Sequence, residues 1–291
     1  MGDLDVSTIE ALADWVEASV LVSASGHLSR EMLLVLATEE LGIEPPRIAM
    51  ALAVMGRRQA VLGDAYPFRV NEFAVLRRAE EAVGTYSTLL HLTPGSVARQ
   101  TVRAGEIAVM GELLEEVAEV GLANLWGPGG TALRFAYPSR HARPEKFDAA
   151  VRWLAEQIGV DAGSGYRPPR RKDGGVDVVA WRRFADQRPG FPIALAQCTI
   201  QAESFSKSAD IDLRLWASWL AMDMDPLSVL VFPGTVKSAG PDWSQLVTVV
   251  LPIDRLRLTE LVARNPHHTV RPSWTDATNI ALGGVLGASE L

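Results

Sequence analysis

The chain has 291 residues, about half of them apolar, with 28 basic and 35 acidic side chains, a net charge of −7 and a pI near 5.3. That is enough for one large or two ordinary domains with a sizeable core, and the acidic total argues against a general nucleic-acid coat protein while leaving room for a local basic groove. The single cysteine, Cys198, excludes a disulfide framework and a cysteine-based zinc site. The acidic start lacks the basic region of a signal peptide, and no apolar run reaches the roughly 18 residues of a membrane span, so a cytoplasmic protein without membrane segments is expected.

The first hundred residues read as helical. Ser7, Thr8, Ile9 and Glu10 open an apolar-periodic stretch to about residue 22, with capping-box spacing between Ser7 and Glu10. Ser29 can cap a second helix that runs to Leu41 and stops at Gly42. Pro45 and Pro46 start a third, ending near Gly63. A short extended piece over 66–70 precedes another helix over 76–91, and Pro94-Gly95 marks a soft boundary between residues 1–100 and 101–291. Three helices after a serine cap fit either a winged-helix-like unit or a plain helical bundle, and the bundle is the expectation.

Beyond the boundary, Ile107, Met110, Leu113, Leu114, Val117 and Val120 recur at helical spacing over 107–125. A short strand over 134–137, a helix over 144–158 and a polar Gly/Pro/Arg-rich loop over 161–172 follow. Residues 176–181 and 191–200 read as strands around a turn that contains Pro189-Gly190. A helix over 210–222, strands over 228–232 and 246–251, and a helix over 255–264 capped by Asp254 complete the order. The class is α/β with a mixed sheet flanked by helices, behind an α-helical N-terminal domain.

Two polar residues interrupt the apolar strands. Asp177 heads the first, after Asp173-Gly174-Gly175-Val176, and Gln197 ends the apolar run 193–196 of the second. A carboxylate in such surroundings needs a partner, and a metal ion is one solution. The alternative is that Asp177 caps a turn while Gln197 satisfies a backbone group. A hairpin would bring the two side by side.

The run Asp-Gly-Gly-Val-Asp, then strand, hairpin and Gln197-Cys198, resembles the core of Mrr-type restriction endonucleases in the PD-(D/E)xK superfamily. The resemblance covers roughly residues 105–260, with its specific residues between 172 and 207. It implies a restriction-endonuclease-like nuclease domain over 101–291 that binds Mg²⁺ or Mn²⁺, with Asp177 and Gln197 as ligands. Glu115 on the preceding helix would assist, with Glu116 and Glu119 as alternatives. The pattern departs at Thr199, where the family carries lysine; Lys207 is the expected replacement, and Lys172 a weaker one. DNA is the implied partner, with further subunits of a restriction or anti-phage defence complex and room for a homodimer.

Basic residues flank the motif: Arg140, His141 and Arg143, then Arg167, Arg170, Arg171 and Lys172, then Arg182 and Arg183. Of these, Arg167, Arg170, Arg171, Lys172, Arg182 and Arg183 are the candidate phosphate contacts, although a solvated loop produces the same composition. Three functions are therefore carried forward. One is a metal-dependent DNA endonuclease. Another is a catalytically degenerate nuclease-fold subunit that binds DNA or scaffolds a complex. The third is a regulator built on residues 1–90, which would need a basic recognition helix and has only Arg57-Arg58 to offer. His267-His268, Trp216/Trp219, Gly127–Gly130 and Cys198 read as loop, core, turn and core.

Overall fold

Helix caps written into the sequence set the first elements. A computed structural model describes residues 6–78, 84–97, 99, 106–139, 142–169, 172–202, 210–236, 241–264 and 278. Helix α1 (Ile9–Val22) starts where Thr8, rather than Ser7, accepts a hydrogen bond from the Ala11 N–H. Ser29 caps α2 (Arg30–Leu41) through the Met32 N–H, and Gly42 closes it in the left-handed conformation. Helix α3 (Pro45–Leu62) follows its two prolines.

The plain-bundle expectation for this part is overturned. Strands β1 (His27–Ser29), β2 (Phe68–Val70) and β3 (Ala74–Arg77) form an antiparallel sheet in the order β1-β3-β2, so three helices and a hairpin make the winged-helix-like arrangement. The expected helix over 76–91 is described as α4 (Gly84–Leu92), and its expected start is instead a strand, because Ala74–Arg77 pairs on both sides. Strands of three or four residues are too short to show alternation.

The second unit is the expected mixed sheet flanked by helices. Helix α5 (Ile107–Ala123) leads to β4 (Thr131–Arg134), α6 (Phe147–Ile158), β5 (Val178–Trp181) and β6 (Ile193–Cys198). Then come α7 (Leu213–Trp219), β7 (Leu227–Val231), α8 (Pro241–Leu246), β8 (Leu251–Ile253) and α9 (Arg255–Ala263). The order is β4-β5-β6-β7-β8, antiparallel through β6 and parallel from β6 to β8. The strand expected over 246–251 is displaced: the chain is still helical up to Leu246 and pairs only from Leu251.

Both faces of the sheet are buried, and alternation sorts them. Val178, Ala180, Ala194, Ala196, Val229 and Val231 pack with α5 and α9. Val179, Trp181, Ile193 and Leu195 pack with α6 and with Trp216 of α7. Asp254 caps α9 as expected, accepting from the Arg257 N–H.

A buried ionic cluster ties the two units. Arg58 of α3 holds Asp14 and Glu17 of α1, each at 2.7 Å, and Arg255 of α9 reaches the same pair at 2.6 and 3.3 Å. Tyr66 and Tyr86 donate to Glu17. Burial of this kind is tolerable only when every charge is paired. Among the described residues no helix is long and apolar enough to cross a membrane.

Candidate active site

The turn ahead of β5 needs its glycines. Gly174 and Gly175 both have positive φ, 67° and 79°, and a Cβ on Gly175 would lie 2.7 Å from the Asp210 carbonyl oxygen. The Asp173 carboxylate accepts from the Gly175 N–H at 2.9 Å, which closes the turn. The next polar residue is Asp177.

At Asp177 both ladders slip. Its carbonyl accepts from two successive N–H groups, Phe135 and Ala136, and its own N–H donates to Ala196, the residue already opposite Val178. Such bulges re-aim side chains and gather at functional sites. The carboxylate oxygen Oδ2 accepts from the Cys198 N–H at 2.7 Å, so the aspartate is held to the end of β6.

Glu115, on α5, is the glutamate that acts on it. Burial and the Glu115 carboxylate push Asp177 up to about 8; Asp173 adds to this, while the Cys198 N–H and Arg134 oppose it. Glu115 is itself raised by burial despite Arg134. Arg134 of β4 is almost fully buried, with Nε 2.5 Å from Glu115 Oε2 and Nη1 donating to the Pro138 carbonyl. The Cys198 thiol is pushed up by burial and by Asp177, which disfavours a thiolate nucleophile.

Gln197 is buried. Its Nε2 donates to Asp210 at 3.1 Å, while its Oε1 is buried without a hydrogen-bond partner among the described residues. An orphaned amide oxygen costs roughly 1–3 kcal/mol and is an acceptor open to a cation or a water. Carboxylates forced together in a poorly solvated site have the same need. Among the described residues no three His, Cys, Asp or Glu side chains converge to hold an ion by themselves. Mg²⁺ commonly takes one or two carboxylates and completes its shell with water and neutral oxygens. Asp177, Glu115 and Gln197 Oε1 are oxygen donors of the class that hard divalent ions take.

Thr199 cannot stand in for lysine. It is buried, its N–H donates to Val231, and its Oγ1 accepts from the Gln201 N–H. Lys207, Arg170, Arg171, Arg140, His141, His267 and His268 lie outside the described residues. Lys172 stands beside the Asp173 turn, its ammonium 4.1 Å from the centre of the Tyr137 ring. Arg143 stacks on Phe135 at 4.3 Å and donates to the Lys172 carbonyl. Arg167 is paired with Asp212 at 2.8 Å. Arg182 and Arg183 follow the far end of β5, roughly 17 Å of extended chain from Asp177, and donate to the carbonyls of Pro128 and Gln187. Of the candidate phosphate contacts that are described, only Lys172 adjoins the motif directly.

Arg134, Asp173 and Asp210 are not singled out by sequence reasoning. Asp173 stands inside the motif run itself, whereas Arg134 and Asp210 carry no local signal, because their partners are 19 and 13 residues away. No protein-family model, curated protein or solved structure matches this chain.

Proposed function

We propose that residues 101–291 form a restriction-endonuclease-like domain that cleaves DNA with Mg²⁺ or Mn²⁺. The observation that carries this reading is the Asp177–Glu115 relationship. Burial and the Glu115 carboxylate raise the proton affinity of Asp177, in a site whose described cation, Arg134, is bound to Glu115. A purely structural carboxylate at a strand head would sit with a cation of its own.

In this reading Asp177 and Gln197 Oε1 would hold the ion, and Arg134 fixes Glu115 through its Nε. The chemistry supplied by such an ion, when bound, would be polarisation of the scissile phosphate and a lowered pKa of a bound water. Backbone phosphates approach past Lys172. The defence setting, a cytoplasmic location, further complex subunits and a homodimer follow from the family resemblance alone.

The degenerate alternative, a subunit that binds DNA without cutting, is favoured by one observation: the Thr199 hydroxyl is engaged in a turn and supplies no positive charge. The regulator reading loses its support. Arg58 is buried in the ionic cluster, and the exposed positions of α3 include Ala49, Met50, Ala53 and Val61 around Arg57, with no basic stripe.

Incubating the purified chain with supercoiled plasmid and Mg²⁺, Mn²⁺ or EDTA, beside Asp177→Ala, separates these readings. Metal-dependent nicking abolished by the substitution supports the nuclease. DNA binding without nicking supports the degenerate subunit, and neither activity overturns both.

A further inference from the structure

Gln197 is the one polar side chain in the buried run 193–197. An amide has two ends of nearly the same shape and opposite hydrogen-bonding sense, so the group held at one end decides what the other end offers. Here that group is Asp210: Gln197 Nε2 donates to its Oδ2 at 3.1 Å. An ionised carboxylate only accepts, so it keeps the donor end to itself and leaves Oε1 turned away. Oε1 is buried and has no hydrogen-bond partner among the described residues. A pair that served only to anchor the chain would have both ends of the amide satisfied.

The fold sets Asp210 against both arms of the motif. It stands 13 residues beyond Gln197, and its backbone carbonyl lies over Gly175, where a Cβ would come within 2.7 Å of that oxygen. The segment after it is fastened to the same turn. Asp212 caps α7 through the Leu215 N–H, and Trp216 Nε1 of α7 donates to the Gly174 carbonyl at 3.2 Å. Asp210 therefore adjoins the glycine turn that leads into Asp177 and holds the amide of Gln197 at once. Groups that orient a metal ligand from behind also raise its basicity. A neutral amide gains in this way from a formal negative charge one hydrogen bond away.

We infer that Asp210 is a positioning residue for the candidate metal site: it fixes which end of Gln197 is offered as a ligand and strengthens that oxygen as a donor. This rests on the nuclease reading above, in which Gln197 Oε1 is a ligand, and adds the residue that lets an amide serve in that place.

The test is Mn²⁺ binding by calorimetry without DNA, beside metal-free thermal melts. The parent, Gln197→Ala, Asp210→Asn, Gln197→Glu and an exchange variant that carries Asp210→Asn with Gln197→Glu are compared. Asparagine at 210 keeps the shape but can either accept from Nε2 or donate to Oε1, so the amide loses its fixed sense. Mn²⁺ binding by Asp210→Asn should weaken about tenfold, as for other residues that hold a metal ligand from behind. Gln197→Glu alone sets two carboxylates against each other and should lower the metal-free melt. The exchange variant pairs a carboxylate ligand with an amide donor, so it should recover both the melt and the parental affinity. Parental affinity in Asp210→Asn overturns the inference. So does an exchange variant whose losses are the sum of the two single ones, the mark of a purely structural residue. Where Asp210→Asn alone fails to fold, the exchange variant decides: restored binding supports the inference and lost binding overturns it. Parental affinity in Gln197→Ala also overturns it, by removing Gln197 from the ligand set, and leaves Asp177 and Glu115 to the nuclease reading. A parent that binds no Mn²⁺ takes down the inference and the metal-dependent reading together.

Discussion

Arg134 of β4 and Glu115 of α5 hold one another through Nε and Oε2 at 2.5 Å, beside Asp177 and almost out of reach of water. The pair joins the helix to the sheet edge beside Asp177, whose carboxyl is pushed up by burial and by Glu115. Its energetics can be separated from those of Asp177.

Arg134→Met should destabilise the fold by about 3–5 kcal/mol, because it leaves Glu115 buried without its cation. Glu115→Gln should cost less, since the amide can still accept from Arg134, and Arg134→Met with Glu115→Gln should recover much of the loss. Urea denaturation of the cycle checks this. Strictly additive losses would show that the two side chains are not coupled.

Asp177→Asn should stabilise the protein increasingly as pH rises. The folded-state pKa of Asp177 is about 8, above the ordinary 3.8, so the folded chain binds the extra proton between those values. Stability from that proton is fully present below the unfolded pKa and is lost as pH climbs through the window. Asparagine keeps an acceptor for the Cys198 N–H and carries no charge. Melts at about pH 5 and about pH 8.5 should show a larger gain at the higher value; a gain independent of pH contradicts the assignment.

Gly175→Ala should cost about 1–3 kcal/mol. The residue has φ of 79°, and the new methyl would meet the Asp210 carbonyl at 2.7 Å. Asp210 also accepts from Gln197, so the damage should reach the candidate ligand set. In a nuclease assay on folded protein the variant should therefore lose more activity than its melting temperature accounts for. Activity in step with folded fraction would confine the role of Gly175 to the turn.

Glu17→Gln should destabilise the winged-helix-like unit and the sheet domain together. Glu17 is fully buried and accepts from Arg58, Arg255, Tyr66 and Tyr86, contributed by three helices and the segment between α3 and β2. A loss of about 3–5 kcal/mol within one unfolding transition, followed by both far- and near-ultraviolet dichroism, is the expected result. Two separated transitions would show that the cluster does not couple the units.

Much of this architecture was legible in the residues. Ser29 and Gly42 mark both ends of α2, Asp254 marks the start of α9, and apolar spacing marks α5, because caps and periodicity act within a few residues. The hairpin of β5 and β6 and the glycine turn before Asp177 are local in the same sense, so the motif could be read in one dimension. The three-stranded N-terminal sheet could not, since β1 and β3 are three and four residues long and exist through pairing across some 45 positions.

The sequence alone determined where the candidate chemistry lies and that the acidic total need not forbid a phosphate site. Tertiary structure alone decided which charges meet. Glu115 was one of three candidate glutamates on its helix until the sheet placed Asp177 and Arg134 against it, and Arg58, the hint of a basic helix, became half of a buried clamp. Charge pairing acts through a few ångströms of space and takes no account of separation along the chain. The fold that brings residues 14, 17, 58 and 255 together assigns those roles.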